Sequence, residues 1–116
     1  WINMNKTIIQ GRLTKDPEMS ASSEGLIISK FTLAFDRYVK GQNESNFIDC
    51  VAFGKTAELI AKMQKGKGLI VESELAQDRW QDAQGNNKSK VKLVVQRISF
   101  PLQDKRTETR QEDVVF

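Results

Sequence analysis

Residues 56–65 are the one stretch of this chain with apolar side chains at helical spacing: Ala57, Leu59, Ile60 and Met63 form a stripe. Thr56 is placed to cap its start, Gly66 to close its end, and Lys62, Lys65 and Lys67 suit the negative end of its dipole. Almost everything else alternates with period two, the signature of strands buried on one face. Strands are expected over residues 7–13, 26–35, 46–53, 69–80 and 88–100. Ile9, Gly11 and Leu13 share one side of the first, with Lys6, Ile8, Gln10 and Arg12 opposite. The second turns Ile27, Ser29, Phe31, Leu33 and Phe35 to one face. The fourth turns Leu69, Val71, Ser73 and Leu75 inward, with Glu72, Glu74, Asp78 and Trp80 outward. Asp16-Pro17 turns the chain, residues 20–25 form a small polar loop, and Pro101 ends the last strand.

Three strands, one helix, then two strands is the order of an oligonucleotide-binding (OB) barrel. The expected fold is therefore all-β: a five-stranded Greek-key OB barrel with one helix between strands 3 and 4 and long hairpin arms. One arm is a polar, flexible hairpin over 36–45, and the other has its tip at 82–87. A chain of 116 residues, 39% hydrophobic and 28% charged, suits one such domain, placed at residues 4–102, followed by a short tail at 103–116. Met4 reads as the native start.

Composition narrows the chemistry. The chain has no His and one Cys, so neither a zinc site nor a Cys/His nucleophile pair can be built. No paired Asp/Glu cluster suggests acid–base work or magnesium; Glu72 and Glu74 lie on a polar strand face. No enzyme activity and no cofactor are expected. Cys50 falls on the inward face of its strand, as a small core residue. A single Cys and no membrane-spanning or signal segment point to a cytoplasmic protein. Net charge is +3, with fifteen Lys and Arg against eleven Asp and Glu in residues 1–102, and a tail that is slightly acidic. A basic body suits a polyanion, and an acidic tail suits a separate protein contact.

The residues that point to a ligand lie on the outward strand faces. Phe47, Asp49, Val51 and Phe53 share one face of the third strand, opposite Ile48, Cys50 and Ala52. Two Phe rings on a half-wet face, followed at once by Gly54-Lys55, look like a platform for something flat and anionic. The alternative is that both rings cap the ends of an ordinary core. Trp80 falls on the outward face of its arm, and Arg79 precedes it. On the returning strand Lys88, Lys90 and Lys92 share a face, suited to phosphates or, alternatively, to blocking edge-to-edge aggregation. Arg37, Tyr38 and Lys40 repeat the pairing of aromatic and cation on the other arm.

Several segments then resemble a known family. Met4-Asn5-Lys6, Gly11-Arg12-Leu13-Thr14-Lys15-Asp16-Pro17-Glu18, Phe31-Thr32-Leu33-Ala34 and Phe47-Ile48-Asp49-Cys50-Val51-Ala52-Phe53-Gly54-Lys55-Thr56-Ala57-Glu58 look like bacterial single-stranded DNA-binding proteins, in the same order and with matching gaps. The resemblance implies an OB-fold homo-oligomer, usually a tetramer, that coats single-stranded DNA in replication, recombination and repair. It puts Phe47, Phe53 and Trp80 at the family's stacking positions and Lys55 and Lys65 at basic ones. The family's aromatic on the early arm falls at Val39, beside Tyr38. Ala76 and Asp78 stand where members often carry Arg or Lys. The ending Glu112-Asp113-Val114-Val115-Phe116 looks like the family's acidic, hydrophobic tip, which recruits replication and repair proteins. It lacks the usual proline and follows a short linker, which suits a phage, plasmid or secondary paralogue. Plain disorder is the alternative for the tail. The main functional rival is a primosomal-type barrel that bridges proteins.

Overall fold

Period-two alternation does produce strands, and they run further than their apolar faces do. The computed structural model describes residues 3–101. In chain order the elements are β1 (Thr7–Leu13), β2 (Glu18–Ala21), β3 (Ile27–Val39), β4 (Gln42–Phe53), α1 (Gly54–Ala61), β5 (Gly68–Gln81) and β6 (Asn87–Ser99). The sheet order is β1-β5-β6-β4-β3-β2, and β1 also pairs with β3. That extra pairing, Arg12↔Ala34 and Leu13↔Leu33, closes β1, β3, β4, β5 and β6 into a five-stranded barrel. The pairing of β4 with β6 is parallel, and all others are antiparallel. This is the OB arrangement expected from the strand order.

Closure depends on Gly11. A Cβ there would lie 2.5 Å from the Ala34 carbonyl oxygen, so only a residue without a side chain lets β1 cross onto β3 this closely. Inside the barrel Leu13, Phe31, Leu33, Cys50, Ala52, Leu69, Val71, Leu93 and Val95 pack together, and Ala57 and Ile60 of α1 join them. The two inward hydroxyls are satisfied: Ser29 Oγ donates to the Ala57 carbonyl at 2.8 Å, and Ser73 Oγ to the Thr7 carbonyl at 2.9 Å.

Six expectations change. Residues 18–21, the last two of which fall in the expected loop at 20–25, form β2, paired from Glu18↔Lys30 to Ala21↔Ile27. All four of its residues are exposed, so no apolar alternation marks it. The helix accordingly follows the fourth strand rather than the third. It is also shorter than 56–65: Phe53 is its N-cap and makes no side-chain cap bond, and Lys62 is its C-cap. Tertiary bonds end it early. The Lys65 N–H donates to Asp16 Oδ1 at 2.8 Å, and the Gly66 N–H to the Leu13 carbonyl at 2.8 Å. The arm at 36–45 is paired to its tip, through Val39↔Gln42, and turns over Lys40-Gly41 with φ of 50° and 79°. Such a two-residue turn matches the twist of the strands it joins. Leu75, expected in the core, is 45% exposed, because β5 has already left the barrel there. Val51, expected on the wet face, is buried, since β6 lies beside it and pairs Val94 with it.

Candidate nucleic-acid interface

Register carries one continuous outward face across four strands. Residues paired directly across a ladder share a face. From β3 to β4 the outward pairs are Ile28↔Phe53, Lys30↔Val51, Thr32↔Asp49, Ala34↔Phe47 and Tyr38↔Asn43. The parallel seam continues that face into β6 through Asp49↔Lys92 and Val51↔Val94. From β6 it reaches β5 through Lys92↔Ala76, Lys90↔Asp78 and Lys88↔Trp80. Tyr38, Phe47, Phe53 and Trp80 therefore stand on the same side of one sheet. They are 73%, 64%, 43% and 48% exposed, so all four rings are open to solvent.

The cations divide differently. Lys88, Lys90 and Lys92 share the aromatic face, but each has a carboxylate beside it. Lys90 Nζ lies 2.6 Å from Asp49 Oδ2, Lys92 Nζ 3.1 Å from Asp78 Oδ1, and Lys88 Nζ 3.9 Å from Asp82 Oδ2. Arg37 and Arg79 lie on the reverse face, by the same alternation that puts Tyr38 and Trp80 in front. Arg37 is 3.8 Å from Glu44, and Arg79 donates to Gln77 Oε1 at 2.8 Å. Lys40 is exposed at the tip of the first arm. Lys55 is exposed in the first turn of α1, right after Phe53. Lys65 lies apart, in the turn after α1, beside a shallow pocket with Lys62 and Lys67.

A groove of about 310 Å³ opens at the β4–β6 seam, with Lys15, Lys30, Thr32, Asp49, Lys90 and Lys92 in its walls. Lys15, Lys30 and Thr32 are absent from the residues expected from sequence. Parity alone finds two of them, since Lys30 and Thr32 occupy the positions opposite Ser29, Phe31 and Leu33. Lys15 needed the fold, because it sits on the turn between β1 and β2. Among the described residues neither Lys15 nor Lys30 has a carboxylate within 4.0 Å.

Asp49 is the most constrained charge here. The Lys90 ammonium, then the Thr32 hydroxyl donating at 2.9 Å, hold its carboxyl below the usual carboxylate range, and Asp49 raises Lys90 in return. On the inner side of the same strand, burial pushes the Cys50 thiol up to about 12, so at neutral pH it stays protonated and packs as an apolar group. Among the described residues no three His, Cys, Asp or Glu side chains converge as metal ligands would. The face thus carries exposed aromatic rings with cations and carboxylates between them.

The family model described as single-strand binding protein family matches residues 4–101. This chain belongs to that family. Relatives include the single-stranded DNA-binding protein of Clostridium perfringens, 39% identical over 84% of this chain and 65% of that protein. The Aquifex aeolicus single-stranded DNA-binding protein is 36% identical over 95% of this chain and 78% of its own length. Single-stranded DNA-binding protein 1 of Staphylococcus aureus is 33% identical over 96% and 73%. The chain thus spans about two thirds of the Clostridium protein and about three quarters of the other two. Within the family frame, Val39 shares the reverse face with Arg37, while Tyr38 next to it faces Phe47's side.

Proposed function

We propose that this protein binds single-stranded DNA with little regard to sequence, and that it does so by binding alone, without catalysis. Four exposed rings on one register-linked sheet face carry this reading. Bases stack on Tyr38, Phe47, Phe53 and Trp80, because every base has a π-face. Phosphates are met by Lys15 and Lys30 in the groove, by Lys88, Lys90 and Lys92 once they leave their carboxylates, and by Lys40 and Lys55 at the margins. A duplex hides its base faces and binds poorly. The names of the relatives support the same ligand.

The wider role we infer is protection of single strands during replication, recombination and repair in the cytoplasm, by a homo-oligomer that is a tetramer. The Thr7–Gly11 part of β1 pairs with β5 along one edge, and among the described residues its other edge is open to a second copy. Among the described residues no helix is long and apolar enough to cross a membrane. Glu112, Asp113, Val114, Val115 and Phe116 are the proposed docking tip for partner proteins; they lie outside the described residues.

Fluorescence tests the reading. The chain has two Trp, so a Trp1→Phe variant isolates Trp80. Titration with poly(dT) should quench its emission to a sharp endpoint at a fixed nucleotide count, with far weaker quenching by duplex of equal length. Absence of quenching and of binding at low salt would favour the protein-bridging barrel instead.

A further inference from the structure

We propose that Asp49 is an internal stand-in for a DNA phosphate: it holds Lys90 across the seam between β4 and β6 until a bound strand takes its place. This rests on the single-strand reading above. Asp49 lies two residues from Phe47 and four from Phe53 on the same strand face, so a strand stacked on both rings runs its backbone past the carboxylate. The carboxylate receives Lys90 Nζ at 2.6 Å and Thr32 Oγ1 at 2.9 Å, with Lys15, Lys30 and Lys92 in the walls of the same groove. Glu18 and Asp78 also line this recess, but its four lysines and the Thr32 hydroxyl outnumber the carboxylates, which suits a phosphate oxygen, and the Asp49 carboxylate already occupies that place.

The choice of partner supports this. On its own hairpin Lys90 sits directly opposite Asp78, the nearest carboxylate by register. It reaches instead across the seam to β4, and Lys92 takes Asp78. The contact therefore links β4 to β6 across the parallel seam. When DNA arrives, Lys90 exchanges a carboxylate for a phosphate, and the freed Asp49 takes up a cation from solvent. Net ion release from Lys90 is then close to zero, although Lys90 touches DNA.

Affinity for a dT oligonucleotide, measured across a salt series in four proteins, tests the exchange: unaltered, Asp49→Asn, Lys90→Gln and the double variant. The Asn amide oxygen still accepts from Thr32, and thermal melts report that each variant is folded; Asp49→Ser serves if the Asn variant is not. Asp49→Asn should bind about two- to fivefold more tightly at low salt, the range set by an exposed ion pair. Its dependence of log affinity on log salt should steepen by about 0.7, one more phosphate contact releasing its ion. Both gains should vanish when Lys90 is Gln. A gain that persists without Lys90 would mean a general charge effect and overturn the exchange, as would weaker binding by Asp49→Asn, which would make Asp49 a positioning residue for Lys90. Binding by the unaltered protein with no gain in Asp49→Asn overturns the stand-in alone. No binding by the unaltered protein overturns it together with the single-strand reading.

Discussion

At the scale of single residues, outward Phe47, Phe53, Tyr38 and Trp80 contribute little to the core, so their truncation separates binding from folding. Phe53→Ala and Trp80→Ala should each weaken binding to single strands by about 1–3 kcal/mol while the melting temperature barely moves. Isothermal titration beside a thermal melt checks both, and unchanged affinity would remove that ring from the stacking face. Asp49 carries a pH signature. Its folded carboxyl titrates below the ordinary 3.8, so its contribution to stability is fully present above that value and is lost as pH falls through the folded one. Urea denaturation should show the unaltered protein more stable than Asp49→Asn at pH 7, with the difference shrinking as pH falls below 3.8. A gap that stays the same on acidification would show that Lys90 and Thr32 do not stabilise the ionised form.

Among the elements, β1 decides closure and the arms decide reach. Gly11→Ala forces a methyl group against the Ala34 carbonyl, and a backbone oxygen cannot swing aside as a side chain can. It should destabilise the barrel by about 1–3 kcal/mol, read from chemical denaturation. A variant as stable as the parent would mean that β1 and β3 separate without cost. The β5–β6 arm is pinned at its tip by Asp82, whose carboxylate accepts the Gln84 and Asn86 N–H groups at 2.9 Å each. Those backbone bonds, Asn86 first, hold its carboxyl below the usual range. The arms are thus closed at both ends, by a two-residue turn on one and an Asx-type turn on the other. That explains how polar segments with exposed faces remain strands.

For the whole molecule, we assign two roles to separate parts of the chain: the sheet face within residues 3–101 to DNA, and the acidic, apolar sequence at 112–116 to partner proteins. Removing residues 111–116 should leave affinity for single strands intact or slightly raised, while capture of partner proteins is lost. Filter binding together with pull-down against a cognate extract reads both halves. A large loss of DNA affinity on this truncation would show that the tip is not a separate docking peptide. The arrangement of carboxylates beside Lys88, Lys90 and Lys92 also means that a count of basic residues overstates how many cations a polyanion meets at first contact.

Much of this was legible in the chain. Alternation at Ile9, Gly11 and Leu13, at Ser29, Phe31 and Leu33, and at Cys50 and Ala52 places the core faces, because a pleated strand turns every second side chain the same way. The same rule put Phe47, Phe53 and Trp80 outside. Local pattern fails where a contact distant in sequence decides the outcome. No apolar signal marks β2, whose strand form comes from pairing with β3. Helix α1 stops at Ala61 because Asp16 and Leu13 draw the following residues away. Leu75 has the parity of a core residue but lies past the rim of the barrel. Sequence determined which side chains share a face of each strand. Which strands lie side by side was settled only by folding, and hence that Lys90 meets Asp49 and that four rings from three strands share one surface. Alternation is a property of a single backbone, whereas register and ion pairing belong to strands brought together by folding.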